Sequence, residues 1–437
     1  MEMTKKELEE NYHLLAGGAA TLSKNKDRFT PFTPQFLETG NGSIVTDVDG
    51  YKYIDMIGAL GANLLGYNNP RVVDAVIDQV KSGGSFSLIN PLEVEVAKKI
   101  HDIIPHADKV RFAKNGADVT QAAIRLARWY THKTDIFCTG YHGMHDWYVC
   151  TTPKNGGVLT ENRFHTHPLD FLSINKEYLK EKLYKHSANI AAFVVEIPPI
   201  EYNTEDPCKI ILKDISEFCL DNDIVFVLDE IVTGFRYDLQ GAQKYYEIPN
   251  VDIICLGKGV ANGYPLSIIC GKEDIMAGFD DRVFLSTTFG GETIALAAAN
   301  AVLGFLSGPS FSYRVFTDIG KSIGNILYEN IVKYELPIKL LGNHARYILK
   351  FENTEVCTGD ELKAAWLAFT AINRLLFGGP IFPQYSMYEH IDSISKAINA
   401  SMERLSSLYN SRDSNEVKKY LHDNNIVVPE DVFAKRY

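Results

Sequence analysis

Lys258 sits between two glycines in Cys255-Leu256-Gly257-Lys258-Gly259, directly after the apolar run that starts at Asp252. Flanking glycines leave room for another molecule to approach an ammonium. A cationic neighbourhood and partial burial would lower its pKa enough for attack on a carbonyl and a Schiff base. A solvated turn lysine gives the same three letters, and the P-loop pattern GxxxxGK[ST] is absent. Asp229 closes a second apolar run, Phe226-Val227-Leu228-Asp229-Glu230. A carboxylate there needs a partner. A protonated pyridine nitrogen would serve, keeping the ring able to draw electrons from a carbanion; a capping or salt-bridged aspartate is the plainer alternative. Glu196 ends a third run, Ala191 to Val195.

Three further segments carry groups suited to a flat, phosphorylated ligand. Asn115-Gly116-Ala117-Asp118 opens a helix through Gln121 to Trp129, so its backbone N–H groups and helix dipole suit a phosphate, although Asp118 could equally just cap the helix. Tyr141-His142-Gly143 follows the strand-like Ile136 to Thr139, where a tyrosine either stacks on a heterocycle or fills a core. Ser286-Thr287-Thr288-Phe289-Gly290-Gly291-Glu292-Thr293 offers hydroxyls for phosphate or for capping the Ala-rich helix after it.

The elements that must position these groups follow from periodicity. Apolar runs at 191–195, 224–228, 252–256 and 267–270, alternating with helical segments such as Ile211 to Asp221, read as strands buried on both faces of a parallel sheet. Ligands bind such sheets at the carboxyl ends of the strands, where Glu196, Asp229 and Lys258 all fall. Residues 1–30 read as helical and polar. Ser43-Ile44-Val45 and Tyr51 to Ile54 flank the tight turn Asp47-Val48-Asp49-Gly50 as a hairpin. Beyond about residue 305, helices at Tyr313–Tyr334, Glu361–Leu376 and His390–Tyr409 surround a strand-like Tyr347–Phe351. The expected division is an N-terminal segment, 1–70, contributing to a small domain, a large domain, 71–305, and a small α+β domain, 306–437.

Bulk composition excludes several classes. The 437 residues, 46% hydrophobic and 23% charged, suit a soluble protein with a large core. A net charge of −11 (44 basic minus 55 acidic residues), without a basic stripe, argues against nucleic-acid binding. The charged N-terminus lacks a signal peptide's apolar core, and no stretch reaches the ~20 apolar residues of a membrane span. Seven cysteines, odd in number and without a CxxC pair, signal neither a disulfide framework nor a zinc site. A cytoplasmic enzyme is expected.

The order of these features, phosphate loop, Tyr141, Glu196, Asp229, Lys258 and a Thr-rich turn, resembles the class III aminotransferases of fold type I, most closely the glutamate-1-semialdehyde aminomutase branch. The resemblance runs from about Phe36 to His390. It includes Gly42 to Asp55, Leu65-Gly66-Tyr67-Asn68-Asn69-Pro70, Ile124 to Arg128 and Leu228-Asp229-Glu230-Ile231-Val232-Thr233-Gly234-Phe235-Arg236. It implies an α/β fold with a mostly parallel sheet flanked by helices, plus a smaller α+β domain, and pyridoxal 5'-phosphate (PLP) as cofactor. By position it implies Lys258 as the Schiff-base lysine and proton shuttle, Asp229 at the pyridine nitrogen and Glu196 as the acid supporting that site. Ile231 would pack under the ring and Tyr141 stack on its opposite face. Asn115, Gly116 and Ala117 would hold the phosphate, and Thr288 would reach the phosphate of a partner subunit, making a homodimer with shared sites.

Two departures bear on activity. The family's phosphate loop usually reads Ser-Gly-Thr/Ser-Glu-Ala, so two hydroxyls are missing here and backbone N–H groups and Thr288 must supply more of the grip. The aminomutases carry an acid in a C-terminal segment, whereas Phe382 to Tyr388 has none before Glu389, and their N-terminal arginine could only be Arg28. The expectation is an aminotransferase passing nitrogen from a donor, glutamate by default, to a sugar-derived or other specialised carbonyl acceptor. An aminomutase and a non-catalytic binding homologue are the alternatives.

Overall fold

The computed structural model describes residues 3–201, 207–411 and 415–428. Thirteen strands are found among them: β1 (Leu37–Asn41), β2 (Ile44–Asp47), β3 (Lys52–Asp55), β4 (Lys109–Ala113), β5 (Asp135–Thr139), β6 (Thr166–Pro168), β7 (Ile190–Val195), β8 (Val225–Glu230), β9 (Ile253–Leu256), β10 (Ser267–Gly271), β11 (Ile338–Asn343), β12 (Arg346–Phe351) and β13 (Leu375–Leu376). Seven of them form the main sheet in the order β4-β10-β9-β8-β7-β5-β6.

The centre of that sheet is parallel, from β6 through β5, β7 and β8 to β9. Every residue of β7, β8 and β9 is buried, which is why these strands read as unbroken apolar runs. Alternate residues feed two cores: Phe226, Leu228, Ile254 and Leu256 on one face, Val225, Val227, Ile253 and Cys255 on the other. Helices Pro70–Ser82, Pro91–Ile103, Cys208–Asp221 and Thr293–Leu306 contribute to the first core, and helix Gly116–Thr131 to the second. The run at 267–270 departs from the parallel reading. As β10 it lies antiparallel to both β9 and β4. Burial on both faces hides direction, because a fully covered strand looks the same either way along.

The C-terminal part packs helices Arg314–Lys333, Gly359–Ile372, Ile391–Tyr409 and Glu416–Asp423 around a separate core that also takes in Ile54 and Met56. The N-terminal strands reach it through a mixed sheet, β1-β2-β3-β13, in which β3 pairs in parallel with β13 (Leu375 with Ile54, Leu376 with Asp55). β2 and β3 form the expected hairpin around Asp47 to Gly50, with Ile44 opposite Ile54 and Thr46 opposite Lys52.

Two helical expectations are corrected. Within residues 3–30 the α-helix covers only Lys5–Asn11, followed by single turns at 12–14, 22–24 and 26–28. Leu14 and Leu15 are exposed, so this stretch has no apolar stripe to bury, and Gly17 and Gly18 take positive φ. The helix expected through Leu376 stops at Ile372; Arg374 turns left-handed at φ 61° and Leu375 enters β13. No helix among the described residues is long and apolar enough to cross a membrane.

Candidate active site

Three neighbouring strands deliver the three acid and base groups. β7, β8 and β9 run in parallel, so their carboxyl ends bring Glu196, Asp229 and Lys258 to one edge of the sheet. Gly257 is extended, Lys258 is left-handed at φ 44°, and a single tight turn, Lys258–Ala261, follows. A residue with a Cβ is disfavoured in that conformation and needs support from around it. Asn262 supplies part of that support: its Oδ1 accepts from Leu65 N at 2.8 Å and its Nδ2 donates to Gly66 O at 2.9 Å. Burial pushes the Lys258 ammonium below the usual lysine range, with the Arg346 and Arg236 guanidinium groups adding to the effect and Glu196 and Asp229 opposing it.

Asp229 is almost wholly buried. Its Oδ1 accepts from Ile231 N at 3.1 Å and its Oδ2 lies 2.8 Å from His142 Nδ1, which fixes Nδ1 as the protonated nitrogen. His142 stacks on Trp147, with ring centroids 5.7 Å apart, and its Nε2 has no partner among the described residues. The Asp229 contact makes His142 a site residue rather than a neighbour of one. Its signal in the sequence is a histidine beside Tyr141, which by itself assigns the histidine no role.

Glu196 is held from two sides: Tyr141 N donates to Oε2 at 2.8 Å, and Arg346 Nη1 to Oε1 at 2.9 Å. Burial raises this carboxyl, yet Arg346, the Tyr141 N–H, His142 and Lys258 outweigh it and keep it below the ordinary glutamate range. Arg346 also donates to Ile197 O at 2.6 Å. Nothing in the sequence singled out Arg346. It starts β12 of a hairpin more than 100 residues beyond Glu196, and only the fold brings the two together.

At the other end of the site, Asn115 caps helix Gly116–Thr131 with extended backbone (ψ 149°), and Asp118 Oδ2 accepts from Asn115 N at 2.8 Å. Asp118 therefore reaches back from the first turn, and Asn115 occupies the capping position. The first-turn N–H groups of Gly116 and Ala117 have no acceptor within the helix. A Cβ on Gly116 would sit 2.6 Å from Ile231 Cδ1, so any larger residue there would have to displace the Ile231 side chain. Ile231 itself is only half-buried.

Tyr141 lies next to His142, edge-on to Tyr148 at 5.6 Å, and the residue is 47% exposed. Thr288 is exposed on the segment before helix Thr293–Leu306 and is not brought to the Asn115 loop of its own chain by any hydrogen bond. That segment is anchored on the loop's flanks, with Arg111 donating to Leu285 O and Arg125 to Phe284 O.

This set of groups fits PLP on chemical grounds. An amine whose ammonium form is disfavoured by burial can condense with the aldehyde. A buried, oriented carboxylate suits the ring nitrogen. A helix N-terminus that opens with a glycine packed against Ile231 suits a phosphate.

Comparison with known proteins agrees. Residues 26–337 match the aminotransferase class-III family. The chain is 31% identical over 424 residues to the 3-aminobutyryl-CoA aminotransferase of Cloacimonas acidaminovorans (strain Evry), covering 94% of this chain and 97% of that protein. It is 30% identical over 421 residues to the glutamate-1-semialdehyde 2,1-aminomutase of Methanothermobacter thermautotrophicus, covering 91% and 97%. Among solved structures, the PLP internal aldimine form of the FumI protein of Sphingopyxis sp. MTA144 superposes with a TM-score of 0.84 at 24% identity, covering 93% of this chain and 97% of that one. An omega-transaminase from Sphaerobacter thermophilus superposes at 0.81 and 19% identity, covering 91% and 96%. With the family pattern matched over most of its length, the chain belongs to the class-III aminotransferases and is a PLP-dependent enzyme of the aminotransferase or aminomutase kind.

Proposed function

We propose that this enzyme transfers an amino group from a donor, glutamate by default, to a carbonyl acceptor that is sugar-derived or another specialised metabolite. The observation that carries the reading is the meeting of Lys258, Asp229 and Glu196 at three adjacent strand ends, with burial holding the Lys258 amine towards its neutral form. Bound PLP supplies an electron sink for negative charge at the substrate carbon. Lys258 Nζ would hold the cofactor and move the proton at the substrate carbon. Asp229 would pair with the ring nitrogen, with His142 Nδ1–H holding Asp229 in place. Glu196, fixed by Arg346 and Tyr141 N–H, would support the same end, and Ile231 and Tyr141 would pack against the ring. Asn115, Gly116 and Ala117 would hold the phosphate, aided by Thr288 of a second copy in a homodimer. The exposed Phe284 and Phe289 beside Thr288 support such a contact. Seven buried cysteines, none in a disulfide among the described residues, suit a reducing compartment such as the cytoplasm.

The second reading, a 2,1-aminomutase, is supported by the 30% identity to the Methanothermobacter thermautotrophicus enzyme. Against it, Phe382 to Tyr388 offers no carboxylate, and Gln384 Nε2 is turned to Asp55 O at 2.7 Å. The test uses PLP-loaded wild type and Lys258→Ala, mixed with L-glutamate while the visible absorbance and 2-oxoglutarate release are followed. A Lys258-dependent band that glutamate removes, with stoichiometric 2-oxoglutarate, supports transfer. If no amino donor of any kind removes the band, transfer is wrong; isomerisation of a single aminoaldehyde substrate without a donor would establish the aminomutase.

A further inference from the structure

Lys114 is the first residue beyond β4 and directly precedes the Asn115–Ala117 loop, yet it does not turn to solvent. Its Nζ donates to Glu292 Oε1 at 2.6 Å and to Pro265 O at 3.0 Å. The two charged side chains are only 15% and 14% exposed. Glu292 is the N-cap of helix Thr293–Leu306, where its carboxylate also accepts from Ile294 N at 2.9 Å and Ala295 N at 3.1 Å. Pro265 lies between the Lys258 turn and β10. One ammonium thus ties the loop to the end of the Thr288 segment and to the chain leaving Lys258.

Exposed ion pairs contribute little, because water and side-chain entropy compete with them. This pair is mostly shielded, and its short charge-assisted bond is of the strong kind. Glu292 would cap its helix without Lys114, so capping does not account for the lysine.

The other bonds on the loop come from different directions. Ser267 Oγ donates to Asn115 O at 2.8 Å from β10, and Asp118 Oδ2 accepts from Asn115 N within the loop's own helix. The Thr288 segment closes against the same place: a Cβ on Gly290 would sit 3.0 Å from Phe112 O, at the end of β4. Lys114 is therefore the tether on that side. Such tethers matter more here because the loop offers backbone N–H groups at Gly116 and Ala117 where hydroxyls could stand. A hydroxyl rotates to meet its acceptor, whereas a backbone N–H points only where the chain points. The Asn115 amide is itself engaged, donating to Asp118 Oδ2 at 3.2 Å.

We propose that the Lys114–Glu292 ion pair is a positioning device for the cofactor's phosphate, fixing the aim of the Gly116 and Ala117 N–H groups and the spacing between that loop and the Lys258 turn. The inference rests on the reading above that this loop takes the phosphate, and adds two residues that act through the loop.

The test is fluorescence titration of the full chain, stripped of cofactor, with PLP and with pyridoxal, which has the same ring and aldehyde but no phosphate. Wild type is compared with Lys114→Met, Lys114→Arg, Glu292→Gln and the double variant Lys114→Met/Glu292→Gln. Gln keeps a capping acceptor, and the double variant strands neither charge, so it folds even where Lys114→Met does not. The ratio of PLP to pyridoxal affinity should fall roughly 10-fold in Lys114→Met, Glu292→Gln and the double variant, the lower end for a hydrogen bond to a charged group. Pyridoxal affinity should hold throughout, and Lys114→Arg should keep most of the ratio. An unchanged ratio in the double variant overturns the proposal, and so does an equal loss of both affinities, which is general loosening. Tighter PLP binding in Glu292→Gln also overturns it, making Lys114 a free cation rather than a tether. If wild type itself does not prefer PLP to pyridoxal, the placement of the phosphate falls first and takes the inference with it.

Discussion

Replacing Arg346 with Met tests how the site holds its buried acid. Arg346 and Glu196 are each less than a tenth exposed and meet at 2.9 Å. Removing the guanidinium leaves Glu196 with the Tyr141 N–H as its remaining direct donor and with the more distant charges of His142 and Lys258. Stranding a buried charge costs about 3–5 kcal/mol. The loss should be local, felt where the hairpin of β11 and β12 meets β7, so hydrogen exchange is the suitable assay. Amides of that hairpin and the Tyr141 amide should exchange faster by roughly two to three and a half orders of magnitude, at 1.36 kcal/mol per decade. Glu196→Gln in the Arg346→Met background removes the stranded charge, so the double variant should recover about 1–3 kcal/mol relative to the sum of the singles. The pH dependence has a definite sign. In the wild type Glu196 is held low, so its contribution is present above the unfolded carboxyl pKa and is lost as pH falls through the folded one. In Arg346→Met burial is less opposed, the carboxyl rises, and acidification towards pH ~5 should partly restore protection. Unchanged hairpin exchange in Arg346→Met, or strictly additive variants, would refute the reasoning.

Two other outcomes are expected. Gly116→Ala places a methyl 2.6 Å from Ile231 Cδ1; the overpacking should cost about 1–3 kcal/mol and weaken PLP binding in a fluorescence titration, with Ile231→Ala restoring most of it. Glu230 is pushed up to about 7 by burial, against hydrogen bonds from Ala242 N, Gln243 N and Thr233 Oγ1. A raised carboxyl stabilises below its unfolded pKa and loses that stability as pH rises through the folded value. The melting-temperature advantage of wild type over Glu230→Gln should therefore be largest near pH ~5 and shrink by pH ~8; an advantage that grows with pH would contradict the raised value.

Much of the site was legible because its chemistry sits at the ends of strands with an unmistakable pattern. Val225–Glu230 and Ile253–Leu256 are buried throughout, so Asp229 and Lys258 stood out as polar interruptions. Arg346 did not, because β11 and β12 mix buried, half-buried and exposed positions and an arginine at a hairpin turn looks like any surface arginine. His142 was visible but its bond to Asp229 was not, since 87 residues separate them. Strand direction at β10 and the left-handed turn at Ala59 and Leu60 depend on long-range packing that local periodicity does not encode.

The pairing of β3 with β13 has a consequence for how the chain is made. A ribosome delivers Lys52–Asp55 more than 300 residues before Leu375–Leu376, the strand that completes their sheet. The strands of the main sheet all emerge in between, and domains generally fold as units during synthesis. The first three strands must therefore wait, with one edge unpaired, while the central sheet assembles behind them. Truncation anywhere before residue 375 would leave that edge open and available to the same edge of another unfinished chain. Nascent chains stalled before Leu375 is made should thus be more prone to association than complete chains, a difference that sedimentation of arrested ribosome complexes would register.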